Sequence, residues 1–113
     1  MNIQIFGKNK CFDTKKAERY FKERGIKYQR IDLDTYGMSK GEYQSVKKAI
    51  GSMEALIDTN SKAYTDLHIQ YLASSEAIEA KLLENPKLFQ TPIVRSGKLA
   101  TLGYAPDVWK TWG

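Results

Sequence analysis

The sequence predicts an α/β domain built on a mixed four-stranded sheet, and three observations carry that expectation. Residues 2–6 alternate like a strand, residues 12–24 follow helical periodicity, and residues 26–33 alternate again. The tail repeats the strand pattern twice around a glycine turn and ends in a short helix. Between these two units, at about residues 37–90, helix caps recur and no long alternating run appears. The order is therefore β-α-β, a helical insert, then β-β-α.

Each element has a local reason. In the first helix Ala17, Tyr20 and Phe21 form the apolar stripe, and Gly25 stops the helix as a residue able to take a left-handed conformation. Tyr28, Ile31 and Leu33 mark the second strand, and a helix between two strands makes a βαβ unit with a parallel pair. Ser39-Lys40-Gly41-Glu42 reads as a capping box for a helix that runs to Ile50 and ends at Gly51. Residues 52–72 break into short pieces around Met53, Leu56, Ile57, Tyr64, Leu67 and Ile69. Ser74 or Ser75 caps a further helix through Leu83, which stops before Asn85-Pro86. Thr91-Pro92-Ile93-Val94 is a short strand, Ser96-Gly97 a turn, and residues 98–102 the hairpin partner. Ala105-Pro106-Asp107 opens the last helix with proline at its first position, and Val108, Trp109 and Trp112 are expected to pack back onto the domain.

At 113 residues the chain is one expected domain, 1–113, able to bury roughly two-thirds of its unfolded surface. No stretch reaches the length of a membrane span and no secretory n- and h-region opens the chain, so a cytoplasmic location is expected. A single cysteine cannot form an internal disulfide. The one histidine, His68, lies far from Cys11 without metal-ligand spacing, so no metal site is expected. The net charge of +5 is concentrated in the first half: residues 1–50 hold twelve Lys/Arg against six Asp/Glu. Such a half suits an anionic partner, such as an oxyanion, glutathione or an acidic protein surface. It is equally the composition of solvated helix faces, and direct nucleic-acid binding is not expected because no basic-aromatic motif accompanies it.

Cys11 is the strongest candidate for chemistry. It stands between the first strand and the first helix, where backbone N–H groups favour a thiolate. Lys8, Lys10, Lys15 and Lys16 surround it in sequence, and the polar Gly-Lys-Asn-Lys-Cys loop argues against the inert buried filler that many free cysteines are. Thr14, one helical turn on, is placed to donate a hydrogen bond to the thiolate.

The element order is that of a thioredoxin-like fold with helices inserted in the middle. In that fold a cis X–Pro peptide faces the reactive-thiol loop, and Thr91-Pro92 occupies the place, though a trans proline at a strand start is the common alternative. With Cys11, Thr91-Pro92-Ile93-Val94 and the 102–109 run Leu-Gly-Tyr-Ala-Pro-Asp-Val-Trp, the chain resembles the ArsC/Spx family over essentially its whole length. Residues 55–61 and the following Tyr64-x-x-Leu67 look like that family's middle helical region. The family comprises glutathione/glutaredoxin-type arsenate reductases and Spx-type regulators that bind RNA polymerase.

The resemblance implies a thiol-dependent oxidoreductase in which Cys11 forms a mixed disulfide that an external thiol resolves. Lys8, Asn9, Lys10, Thr91 and Pro92 would then shape the substrate or thiol site, with Thr14 beside the nucleophile. No bound cofactor is expected; glutathione or another external thiol is the implied co-substrate, and glutaredoxin a possible partner. Departures from the family pattern speak against arsenate reduction itself. The loop Lys8-Asn9-Lys10-Cys11-Phe12 lacks the family's proline and glycine, and the oxyanion-binding arginines would fall near Asp58, Thr91 and Tyr104. None of these offers the planar donor fork of a guanidinium, and Asp58 would repel arsenate. The alternative is an Spx-type regulator binding the RNA polymerase α-subunit, with Cys11 a redox sensor or remnant. A Cys-x-x-Cys switch is excluded because the run is Cys11-Phe12-Asp13-Thr14. Gly51 stands where such regulators contact the polymerase, although a helix-ending glycine accounts for it more simply.

Overall fold

β1 (Ile3–Gly7) lies inside the sheet and organises everything around it. The computed structural model describes residues 2–112; Met1 and Gly113, the ends of the expected 1–113 domain, lie outside the described residues. β2 (Tyr28–Asp32) pairs with β1 in parallel, from Ile3↔Tyr28 to Gly7↔Asp32. β3 (Ile93–Ser96) pairs with its other side antiparallel, and β4 (Leu99–Leu102) pairs antiparallel with β3. The order β2-β1-β3-β4 is the mixed four-stranded, thioredoxin-like sheet expected from the element order.

The period-two alternation of β1 sends its side chains into two cores. Ile3 and Ile5 join Ala17, Tyr20 and Phe21 of α1 (Phe12–Glu23), together with Val94 and Trp109. Phe6 faces the opposite core with Tyr43, Val46, Leu56, Leu82, Phe89 and Ile93. The latter is the underside of the helical insert. Its main helices are α3 (Lys40–Ile50) and α5 (Ser75–Glu84); α2 (Leu33–Tyr36) and α4 (Lys62–Asp66) are single turns. The capping box at Ser39 and Glu42 is formed in both directions, and Ser74 caps α5 by accepting from the Ala77 N–H. Glu79 ties α5 to α3, accepting from Tyr43 Oη at 2.7 Å and Lys47 Nζ at 2.5 Å.

Three local expectations shift. β2 ends at Asp32 rather than Leu33, because the Asp32 carboxylate accepts from the Asp34 N–H (3.0 Å) and Thr35 Oγ1 (2.9 Å) and caps α2. The hairpin turn falls on Gly97 and Lys98, one residue later than Ser96-Gly97. In α6 (Pro106–Trp109), Trp109 is buried and donates its indole N–H to Thr101 Oγ1 at 2.8 Å, and Trp112 packs against the same core. Val108, expected to pack inward, is 45% exposed, because the neighbouring Trp109 takes the inward position on this single turn.

The insert returns to the sheet through a short pairing. The Asp58 N–H donates to the Leu88 carbonyl (2.7 Å) and the Gln90 N–H to the Leu56 carbonyl (2.8 Å), around the Ile57↔Phe89 bridge. This fixes residues 88–90 immediately before Thr91-Pro92, whose peptide bond is cis. Among the described residues no helix is long and apolar enough to cross a membrane.

Candidate functional site

Cys11 is the N-cap of α1, with extended backbone angles (φ −82°, ψ 115°) and a half-buried side chain. β1 delivers the chain to this point, and the Cys11 N–H donates to the Lys8 carbonyl at 3.0 Å to close the turn. An N-cap normally presents an oxygen to the free N–H groups of the first helical turn. The uncharged Cys11 side chain makes no such bond. Its S–H instead donates weakly to the Thr91 carbonyl, with Sγ at 3.5 Å from the oxygen. The residue before the cis-proline therefore touches the sulfur.

Opposing effects act on the thiol, and the sum holds its pKa below the ordinary value. Partial burial is the largest single effect and works upward. Hydrogen bonds to the thiolate outweigh it together: from the Thr14 and Thr91 side chains, then from the backbone N–H groups of Thr14 and Asp13. Those two N–H groups belong to the second and third residues of α1, the pair an N-cap acceptor ordinarily satisfies. Ionised Cys11 thus becomes the cap that the neutral thiol is not. The exposed Lys10, Lys15 and Lys16 are not among the leading causes, in keeping with the screening of solvent-exposed charges.

Thr14 is 1% exposed, and among the described residues its Oγ1 has no hydrogen-bond partner while Cys11 is a thiol. A buried hydroxyl without a partner is costly, so it needs an explanation. The thiolate supplies one, since a hydrogen bond from the Thr14 side chain is among the causes that favour it. Gly7 makes the arrangement possible: a Cβ there would stand 2.6 Å from Thr14 Oγ1 and closer still to its methyl.

Lys8 is committed to the protein itself. Its Nζ donates to the carbonyls of Lys87 (2.7 Å) and Phe89 (2.9 Å), which pins the segment leading into Thr91. Burial lowers its pKa, against the attraction of Asp34, Asp58 and the Cys11 thiolate. Asn9 and Lys10 are exposed at the turn, and Asn9 Oδ1 accepts from Arg30 Nη2 at 3.5 Å. Gly51 lies apart from this cluster at the end of α3, with φ +89° and its N–H on the Lys47 carbonyl. It lines a cleft of about 500 Å³ with Gln44, Lys47, Lys48, Ser52 and Met53.

Sequence reasoning passed over two contributors. Gly7 carries no motif, and only its contact with Thr14 reveals its role. Arg30 braces the loop from β2: Nη1 donates to the carbonyls of Ile31 (2.7 Å) and Gly7 (3.3 Å), and Nε pairs with Glu18 at 3.5 Å. The parallel register that places Arg30 beside β1 is the signal that would have found it.

The arrangement has relatives. Over 112 residues, 95% of this chain and 80% of the other, the sequence is 29% identical to the global transcriptional regulator Spx 2 of Oceanobacillus iheyensis. An arsenate reductase from Vibrio cholerae superposes with a TM-score of 0.84 at 24% identity, covering 96% of this chain and 94% of that one. An ArsC family related protein from Bacteroides fragilis superposes with a TM-score of 0.82 at 20% identity, covering 100% and 98%. These two likenesses are of fold. The sequence pattern of the ArsC family matches residues 6–112, a span that begins in β1 just before the cysteine loop and closes beyond the cis-proline strand and α6. This chain belongs to the ArsC family.

Proposed function

We propose that the protein is a monothiol oxidoreductase in which Cys11 is the nucleophile. The observation that carries the proposal is the buried, unpartnered Thr14 hydroxyl beside an N-cap cysteine whose thiol is held below its ordinary pKa. The Cys11 thiolate attacks one sulfur of a substrate disulfide. A new S–S bond forms to Cys11, the substrate S–S bond breaks, and the departing thiolate takes a proton from water. An external thiol of the glutathione type, as its thiolate, then attacks the mixed disulfide and frees the Cys11 thiolate. A second external thiol completes reduction, so two thiols are oxidised to their disulfide for each substrate disulfide reduced. Thr14, Thr91 and the first N–H groups of α1 stabilise the sulfur anion at the start and when it is released. Backbone groups at Thr91 suit an extended, thiol-bearing segment.

Arsenate is not the proposed substrate. The positions where the family's arginines would fall carry Asp58, Thr91 and Tyr104, and Asp58 adds negative charge near Lys8. Lys8 spends two of its three donors on the Lys87 and Phe89 carbonyls. No guanidinium fork at those positions meets an oxyanion.

The test is turnover: glutathione-dependent reduction of a mixed disulfide, with and without glutaredoxin, by wild type and Cys11→Ser. Turnover abolished by Cys11→Ser supports the reading, and equal background rates in both proteins sink it. Two observations favour a second reading, an Spx-type regulator that docks on the polymerase α-subunit. The 29% identity to an Spx 2 regulator combines with the cleft beside Gly51, where a Cβ would meet no atom within 4 Å. Binding to that subunit which survives Cys11→Ala would favour this reading.

A further inference from the structure

Beside the thiol, the exposed surface carries two aromatic rings. Phe12 directly follows Cys11 and is 71% exposed, and Tyr104, in the turn before α6, is 45% exposed. Lys16 lies one helical turn beyond Phe12 and joins the two, with Nζ 5.2 Å from the Phe12 ring centre and 5.7 Å from that of Tyr104. Single exposed apolar residues are ordinary. Two rings bridged by one ammonium, contiguous with a nucleophile, form a patch.

One ring of the patch is also held in place. Tyr104 packs edge-on against Trp109 at 5.6 Å and 82°, and the Trp109 indole is fixed by Thr101. Phe12 opens the first turn of α1, next to the sulfur. Preorganised aromatic rings lose little freedom on contact, which is why such residues anchor interfaces. Among the described residues Lys16 has no carboxylate within ion-pair distance, and Lys10 and Lys15 are exposed nearby. The charge that complements this face is negative.

We propose that Phe12, Tyr104 and Lys16 determine substrate class: Cys11 acts on a disulfide carried by a polypeptide with an aromatic or large apolar side chain and a carboxylate just beyond its cysteine. The inference rests on the thiol reading above. The rings and the ammonium come from the start of α1 and from the turn before α6, and an extended polypeptide can engage them together with the sulfur. An open patch rather than an enclosed pocket is also the form that macromolecular contact takes. The covalent step is the exchange already written, with the polypeptide disulfide as oxidant and the external thiol as reductant.

The test uses two six-residue peptides, each carrying one cysteine as a mixed disulfide with cysteamine. In one the cysteine is followed by phenylalanine and aspartate, in the other by glycine and serine. Rate constants for mixed-disulfide formation are measured with wild type, Phe12→Ser and Tyr104→Ser, each divided by that protein's own iodoacetamide rate. The expected result is a preference of about tenfold for the aromatic-acidic peptide in wild type, falling towards unity in either variant. Equal rates with both peptides, or a preference untouched by both substitutions, would overturn the substrate class and leave the thiol reading standing. A second measurement separates the two claims. Serine-for-cysteine versions of the peptides are titrated against Cys11→Ser by tryptophan fluorescence. Selective binding here, with no exchange at Cys11 in wild type, would reject the thiol reading and keep the patch as a peptide-docking surface. Binding that does not discriminate the peptides counts against the patch.

Discussion

Gly7 and Thr14 are packed so closely that residue 7 has no room for a side chain: any Cβ there would stand 2.6 Å from Thr14 Oγ1. The end of β1 thereby fixes a hydroxyl one helical turn from Cys11 and buries it without another partner. Gly7→Ala forces Thr14 to move within a filled core, so it should destabilise the domain by about 1–3 kcal/mol. It should also raise the Cys11 pKa. Urea denaturation read beside the pH dependence of thiol alkylation checks both, and a stable variant with unchanged titration contradicts the coupling.

Thr14→Val separates stability from reactivity. Valine keeps the shape of threonine and removes a hydroxyl that lacks a partner while Cys11 is neutral. At pH 5 the variant should therefore gain up to about 1 kcal/mol in stability. At pH 7 its alkylation should be slower by about threefold or more, since a charge-assisted hydrogen bond to the sulfur is lost. A loss of stability with reactivity intact would mean that the hydroxyl is satisfied in another way.

The lowered thiol pKa has a definite sign in stability. Folding favours the ionised form, so the folded state binds fewer protons than the unfolded chain between the two pKa values. The contribution is complete above the unfolded value, ~8.5. It shrinks as pH falls from there and is gone below the folded value. The difference in unfolding free energy between wild type and Cys11→Ser should therefore move in favour of wild type as pH rises through that window. A flat difference, or one of opposite slope, refutes the assignment.

Lys8 should act as a clamp. Its two bonds to the Lys87 and Phe89 carbonyls hold the segment that carries Thr91 to the sulfur. In Lys8→Ala the amides of Asp58 and Gln90, which pair across that segment, should exchange with deuterium about tenfold faster or more. Amides in the middle of α1 should hold their protection. Unchanged exchange at Asp58 and Gln90 would return Lys8 to the solvent-facing role its neighbours Asn9 and Lys10 have.

Local signals in the sequence proved sufficient where the structure is local. The Ser39–Glu42 capping box, Gly51 at the end of α3, Ser74 before α5 and Pro106 at the start of α6 all involve partners within a turn or two. The cysteine loop and the proline facing it were legible through element order, because β1 and β3 are neighbours in this fold. Features that depend on distant partners were not. The carbonyls that hold Lys8 come from residues 87 and 89, and the space that Gly7 yields is taken by a helix residue. Phe12 and Tyr104 meet through Lys16 only because α1 packs near the turn before α6. Charge counting over-weighted the exposed lysines, since the sulfur responds first to burial and to hydrogen bonds in contact with it.

The most direct test is the rate of Cys11 alkylation by iodoacetamide between pH 4 and 10, in wild type and in Thr14→Val. A stabilised thiolate predicts a midpoint below the ~8.5 of a free thiol, shifted upward in the variant. A wild-type midpoint at or above that value, or a thiol that reacts only once the protein unfolds, would contradict the assignment of Cys11 as the nucleophile.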